Sequence, residues 1–129
     1  MIFYVYNPEF DKEVFHSLRL EKYSDDVLLS ANSIVYLFEE KEETIGYMWM
    51  EVKGDHVMLI DFFFKGSEDK KRGLYDFIVK LAKNQSKPLL LMKMPVNMHE
   101  EVMKKWGGKI RERDGKDILI EIPFLKDRV

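Results

Sequence analysis

Apolar and aromatic residues alternate through Ile2-Phe-Tyr-Val-Tyr6, a pattern of period two that predicts a first strand. Asn7 as N-cap and Pro8 at the first helical position then open a helix, with Phe10, Val14, Phe15 and Leu18 on one face. It ends near Leu20, and a short helical turn is expected over Asp25–Leu29. Ile34–Phe38 and Thr44–Val52 read as strands joined by the acidic connection Glu39–Glu43. Lys53-Gly54-Asp55 turns the chain again, so three strands form an antiparallel meander.

The stretch from His56 to Asn84 carries the strongest pattern. His56–Phe64 is nearly continuously apolar, as expected of a central strand buried on both faces. Leu74, Phe77, Ile78, Leu81 and Ala82 then recur at i, i+3, i+4, i+7 and i+8, which predicts a helix. Between them lies a polar turn with Gly66, Gly73 and three consecutive cations, Lys70, Lys71 and Arg72. Cations oppose the positive end of a helix dipole, so this turn suggests an anion site built on backbone N–H groups. The plainer alternative is a solvated first turn in which Glu68 and Asp69 suit the dipole.

Pro88–Met94 is a further strand, expected to pair in parallel with His56–Phe64 because a helix joins them. A helix over Met98–Trp106 stops at Gly107-Gly108. Residues 110–113 and 117–122 close the chain as a hairpin, with Asp114-Gly115 suited to a type I′ turn. The order β, α, (α), β, β, β, α, β, α, β, β predicts an α+β fold. It is a single domain over residues 1–129, with one mixed, mostly antiparallel twisted sheet of about seven strands flanked by helices. A ligand is expected where the sheet halves splay, beyond the end of the central strand.

Composition narrows the chemistry. At 129 residues and 46% hydrophobic content the chain can bury a proper core without staples. The absence of cysteine excludes disulfides, thiolate ligands and a cysteine nucleophile, and it fits a cytoplasmic protein. His16, His56 and His99 are scattered, so no metal site is expected. A formal net charge of −2 argues against nucleic-acid binding. No apolar run is long enough to span a membrane, and Met1–Tyr6 lacks a signal peptide's basic leader.

This order, with particular residues at its joints, resembles the Gcn5-related N-acetyltransferase (GNAT) superfamily. The similarity runs from about Ile34 to Ile122. Ile45-Gly46-Tyr47 is similar to the family's apolar-Gly-aromatic step, and Lys70-Lys-Arg-Gly73-Leu-Tyr75 to its Gln/Arg-x-x-Gly-x-Gly/Ala turn. Asn97 through Lys105-Trp106-Gly107 resembles its Asn…Lys-x-Gly-Phe segment. The resemblance implies acetyl-CoA as acyl donor and transfer to an amine, on a small molecule or a protein. It implies a coenzyme A site at Phe62, Phe63, Phe64, Lys70, Lys71, Arg72, Gly73, Leu74 and Tyr75.

Two departures stand out. Tyr75 replaces the second small residue, where the backbone should approach a phosphate closely. Met103 stands where many members of that family carry a tyrosine acid, Lys105 on a solvated face is a poor substitute, and the nearest tyrosines, Tyr47 and Tyr75, lie in other elements. Asp61, alone in an apolar strand, is the candidate base, because a carboxylate taken out of water binds a proton more readily. Its alternative is a structural carboxylate. Phe62–Phe64 could line a pantetheine tunnel or simply fill the core, and Met92 and Met94 could do either. The functional alternatives are therefore an acetyltransferase and a degenerate module on the same fold with a structural or viral role. An exposed edge such as the closing hairpin would support a homodimer.

Overall fold

The computed structural model describes residues 1–22 and 29–124, and the helical turn expected over 25–29 lies, save for Leu29, outside them. Ten elements follow one another. They are β1 (Ile2–Val5), α1 (Lys12–Lys22), β2 (Ser33–Glu40), β3 (Glu43–Val52), β4 (Val57–Phe64), α2 (Glu68–Lys83), β5 (Leu89–Pro95), α3 (His99–Trp106), β6 (Lys109–Asp114) and β7 (Asp117–Pro123). The strands form one seven-stranded sheet in the order β1-β2-β3-β4-β5-β7-β6. Every pairing is antiparallel except β4 with β5, the parallel step expected across α2.

Side chains on each face of the sheet meet a different layer. Met48 and Met50 of β3 point with Val57, Leu59, Leu74, Ile78, Ala82 and Val102 into the larger core, under α2 and α3. Tyr47 and Trp49, one residue out of phase, point with Leu37, Phe15 and Leu18 into a smaller core under α1. Alternation along a strand demands this division when both faces are covered. The α2 stripe behaves as its periodicity predicts, with Leu74, Ile78 and Ala82 fully buried.

Three local expectations change. Asn7 does not cap α1: its side chain accepts the Glu9 N–H at 2.9 Å, and Asp11 Oδ2 accepts the Asn7 N–H at 2.8 Å. That closed turn delays α1 to Lys12 and leaves Phe10 exposed rather than on the helix face. In the closing hairpin Asp114 pairs with Asp117, so Gly115 and Lys116 form the turn. Only Gly115 has positive φ there, the pattern of a type II′ rather than a type I′ turn. The β2–β3 hairpin instead carries positive φ at both Lys41 and Glu42, as a type I′ turn requires. The outer strand β6 is rich in charge, with Lys109, Arg111, Glu112 and Arg113, and such an edge disfavours sheet continuation.

The sheet opens at one place. Trp49 pairs with Asp61 and Met50 with Leu59, which leaves Ile60 as an extra residue on β4. This bulge reverses the strand's parity. Val57 and Leu59 face the larger core before it, and Phe62 and Phe64 face the same core after it. β4 and β5 pair only through Val57–Leu90 and Met58–Leu91, then separate as β5 continues along β7. A bulge bends and twists its strand, which accounts for the divergence.

Candidate functional site

Where β4 and β5 part, a cleft of about 360 Å³ opens. One wall is β4 from Leu59 to Phe64, and the other includes Lys93 and Pro95 of β5 with Asp117 of β7. Lys71 and Tyr75, one helical turn apart on α2, border it from the larger-core side. Lys93 is the one exposed residue in an otherwise buried stretch of β5, Leu90 to Met94. A solitary charge in Leu89-Leu-Leu-Met-Lys93-Met94 is the signal that could have marked it. Asp117 gave no such signal.

A second cleft of about 180 Å³ runs between α2 and α3, bordered by Arg72, Gly73, Tyr75 and Asp76 on one side. Met98, Glu101, Val102 and Lys105 form the other. Ion pairs tie the two helices together: Arg72 Nε lies 3.3 Å from Glu101, and Lys105 Nζ 2.6 Å from Asp76. A Cβ placed on Gly73 would meet nothing within 4 Å, so the surface there is open. Tyr75 is the residue common to both clefts.

The basic turn is not built as the sequence suggested. Ser67 caps α2, its hydroxyl accepting the Lys70 N–H at 3.3 Å, and the helix runs from Glu68. Only the first four N–H groups of a helix are left without helical partners, here those of Ser67 to Lys70. The Lys71 N–H already bonds the Ser67 carbonyl at 3.0 Å. Lys71, Arg72, Gly73, Leu74 and Tyr75 therefore lie inside the first helical turns, and the expected cradle of their N–H groups is not formed. Glu68 and Asp69 occupy the first turn and complement the dipole, as the plainer alternative held. Lys70 donates to Glu40 at 2.6 Å, which holds that carboxyl below its ordinary range. Leu74 is fully buried and offers no side-chain surface to a ligand.

The three phenylalanines of β4 divide between the faces. Phe62 packs edge-on against Tyr75 with centroids 5.0 Å apart, Phe63 leans on Tyr47 at 6.1 Å, and Phe64 lies buried beside Gly66. A Cβ on Gly66 would fall 2.3 Å from the Phe64 ring, which explains the glycine. All three residues border the cleft.

Asp61 sits on the opposite face, next to the bulge, and is 5% exposed. Its Oδ2 accepts from Arg19 Nη1 of α1 at 2.6 Å and also from the Tyr47 hydroxyl. Its Oδ1 accepts the Phe62 N–H at 2.9 Å. Arg19 in turn lies over the Trp49 ring at 5.4 Å. Burial pushes the Tyr47 phenol far above its ordinary pKa, and its hydrogen bond to Asp61 and that group's charge push it further. The carboxylate thus has both oxygens engaged, and accepting a proton would disrupt these bonds. This arrangement suits a structural carboxylate better than a general base. Burial likewise raises the Tyr75 phenol, with smaller contributions from Glu68 and Asp117.

Among the described residues no cluster of His, Asp or Glu could hold a metal ion, and no helix is long and apolar enough to cross a membrane. No protein-family model and no curated protein sequence matches the chain. Solved structures do. The ribosomal-protein-S18-alanine N-acetyltransferase of Escherichia coli superposes with a TM-score of 0.73 at 7% identity, covering 98% of this chain and 96% of that one. The aminoglycoside 6'-N-acetyltransferase of Enterococcus faecium gives 0.68 at 13% identity, with both chains fully covered. An aminoglycoside 6'-N-acetyltransferase complexed with coenzyme A gives 0.68 at 14% identity, again over both full chains. The likeness establishes the fold as that of the Gcn5-related N-acetyltransferases.

Proposed function

Starting from that fold, we propose that the protein binds an acyl-CoA, with acetyl-CoA the expected donor, and transfers the acyl group to an amine. The observation that carries this reading is the cleft between β4 and β5, opened by the bulge at Ile60 and flanked by Lys71 and Lys93. Beyond Met58 no strand among the described residues pairs with β4 on the β5 side, which supports pairing of its backbone with an extended amide-bearing arm. The two cations favour the anionic end of such a ligand. Gly73 leaves the adjoining groove between α2 and α3 unobstructed. The solved relative with coenzyme A bound supports the same ligand class.

The reaction requires the amine nitrogen to attack the thioester carbonyl. The carbon–nitrogen bond forms, the carbon–sulfur bond breaks and the thiolate departs with its electron pair. Preorganised donors near the bulge would stabilise the oxyanion, and a positioned acid would protonate the thiolate.

A second reading is a binding or structural module without catalysis. It draws on the capped start of α2, where Glu68 and Asp69 stand at the helix end that a pyrophosphate would need, and on Met103. One titration separates the two. A ligand bound only by the native state raises stability by about 2.7 kcal/mol at a concentration a hundred times its Kd. Thermal unfolding followed against acetyl-CoA should therefore shift upward, and Lys71→Glu with Lys93→Glu should abolish the shift. No shift at millimolar acetyl-CoA would leave the module reading standing.

A further inference from the structure

We propose that β1 is the contact edge between two copies of this chain, which pair antiparallel through Phe3 and Val5 into one continuous sheet. The two ends of the sheet are protected unequally. β6 carries Lys109, Arg111, Glu112 and Arg113, charges of the kind that keep an open edge from pairing. β1, at the other end, is Ile-Phe-Tyr-Val, and no charged side chain stands between Met1 and Tyr6. Among the described residues no strand pairs with its outer side. Its apolar side chains are largely in water: Ile2 is 59% exposed, Phe3 40% and Val5 61%. Phe10, on the closed turn that follows, is 79% exposed.

The hydrogen-bond register fixes which backbone groups are open. Ile2 faces Glu39 and Val5 faces Tyr36 on β2, and the Tyr6 N–H bonds the Val35 carbonyl at 2.9 Å. In an antiparallel ladder, alternate residues turn their N–H and C=O to the same neighbour. Ile2, Tyr4 and Tyr6 therefore serve β2, and Phe3 and Val5 direct theirs away from it. The open ladder stops there, because the Asn7 N–H is already donated to Asp11.

A second copy offers the same two residues in the reverse direction. With the two-fold axis at Tyr4, Phe3 of each copy lies opposite Val5 of the other, and each such pair exchanges both its hydrogen bonds. The faces match as well. Phe3, which packs on Phe38 and Phe77 with centroids 5.5 and 4.7 Å away, meets Val5 on the α2 side. Tyr4 meets its own image on the α1 side, flanked by pairs of Ile2 with Tyr6. The strand is thus its own complement, apolar on both faces and without a charge to repel its image. β1 is short, which limits the strength of the contact. Met1, Ile2, Phe3, Val5 and Phe10 present on the order of 500 Å² of apolar surface per copy, against about 800 Å² per partner in a standard interface. A dissociation constant on the order of 10 µM follows.

Sedimentation equilibrium from about 1 to about 200 µM should show the apparent mass rising from one chain toward two. Val5→Lys sets a charge against Phe3 of the other copy at both ends of the contact, and it should raise Kd at least about tenfold. Its melting temperature at low concentration should match the wild type, since Val5 is mostly in water. The chain has no cysteine, so an introduced one reports by itself. Tyr4→Cys brings two thiols into a facing pair with Cα atoms about 4.5 Å apart, within disulfide reach. The thiols of Val5→Cys are offset along the strands, with Cα atoms roughly 8 Å apart and out of reach. Mild oxidation should therefore cross-link Tyr4→Cys at least about fivefold faster than Val5→Cys. If Tyr4→Cys does not fold, the wild type and Val5→Lys still decide by sedimentation. A wild type that stays monomeric throughout overturns the proposal. So does a dimer that survives Val5→Lys, or one that Arg111→Glu dissociates instead, which places the contact on β6. Equal cross-linking at positions 4 and 5 overturns it too. None of these readouts involves acyl-CoA, so failure here leaves the transferase reading untouched.

Discussion

Replacing Asp61 by Asn should cost folding stability first, whatever it does to chemistry. The Arg19 side chain is 10% exposed and that of Asp61 2%, so neither charge has bulk water to fall back on. Removing one member of a buried pair leaves the other uncompensated, at about 3–5 kcal/mol. Asn retains an oxygen that can accept from Arg19 or Tyr47, which places the expected loss near 3 kcal/mol at the lower end of that range. For 129 residues the entropy of unfolding is about 0.27 kcal/mol/K, so the melting temperature should drop by roughly 11 °C. Tyr47→Phe removes one donor and leaves the ion pair, so about 1–2 kcal/mol and roughly 4–7 °C are expected. The pair Arg19→Met with Asp61→Leu should lose much less than the sum of its parts, because no charge is then stranded. Urea denaturation of the wild type, Arg19→Met alone, Asp61→Leu alone and the pair yields the coupling directly. An Asp61→Asn variant within about 1 kcal/mol of the wild type would refute the structural role. If that variant also lost acyl transfer while binding acetyl-CoA normally, Asp61 would return as the base.

Three further outcomes are expected. Tyr47 and Tyr75 both have folded-state pKa values raised above 10, so their contribution is complete below pH 10 and is lost as pH rises toward the folded values. Stability by urea titration should therefore be flat through neutrality and fall by up to about 2.7 kcal/mol per pH unit above pH 10, with Tyr47→Phe halving the slope. Gly73→Ala, in a helix with open space around it, should raise stability by about 0.4–1 kcal/mol in thermal melts without ligand; a lowered melting temperature would show the space to be occupied. Glu68→Gln with Asp69→Asn should tighten acetyl-CoA roughly tenfold at low salt by calorimetry, and an unchanged Kd would place the phosphates away from the start of α2.

The architecture was legible because the sheet and helix periods were clean. Leu74, Ile78 and Ala82 announced the buried face of α2, and the helix between two apolar strands implied the parallel step that the structure contains. The bulge was not legible. Both faces of β4 are apolar, so the parity change from Val57 and Leu59 to Phe62 and Phe64 leaves no mark on the pattern. Nor was the partner of Asp61, since Arg19 lies 42 residues away and reads as one more charge on an amphipathic helix. The start of α1 was misplaced because Asn7 and Asp11 are both competent caps, and the sequence does not rank them. Their mutual bonds close a turn first, and the helix begins only after it.

At the start of α2 the local charges would work against an anion, and their weight can be estimated. Two acids about 6 Å from a phosphate charge each cost about 0.7 kcal/mol in water, before salt screens them further. Together they oppose an anion by about 1.4 kcal/mol, a factor of ten in affinity. Lys71 and Lys93 on the cleft act with the opposite sign and a similar magnitude. The charges at the mouth therefore nearly cancel, so as they stand they add little net affinity, whereas reversing both lysines would turn the balance firmly against an anion. What remains is the cleft itself, where no strand among the described residues pairs with β4 beyond Met58 on the β5 side and Phe62 and Tyr75 form an apolar wall. Affinity would then reside in the arm rather than in the pyrophosphate, which inverts the weight the basic turn first received. The three cations of that turn are mostly spoken for, Lys70 by Glu40 and Arg72 by Asp69 and Glu101, and only Lys71 borders the cleft.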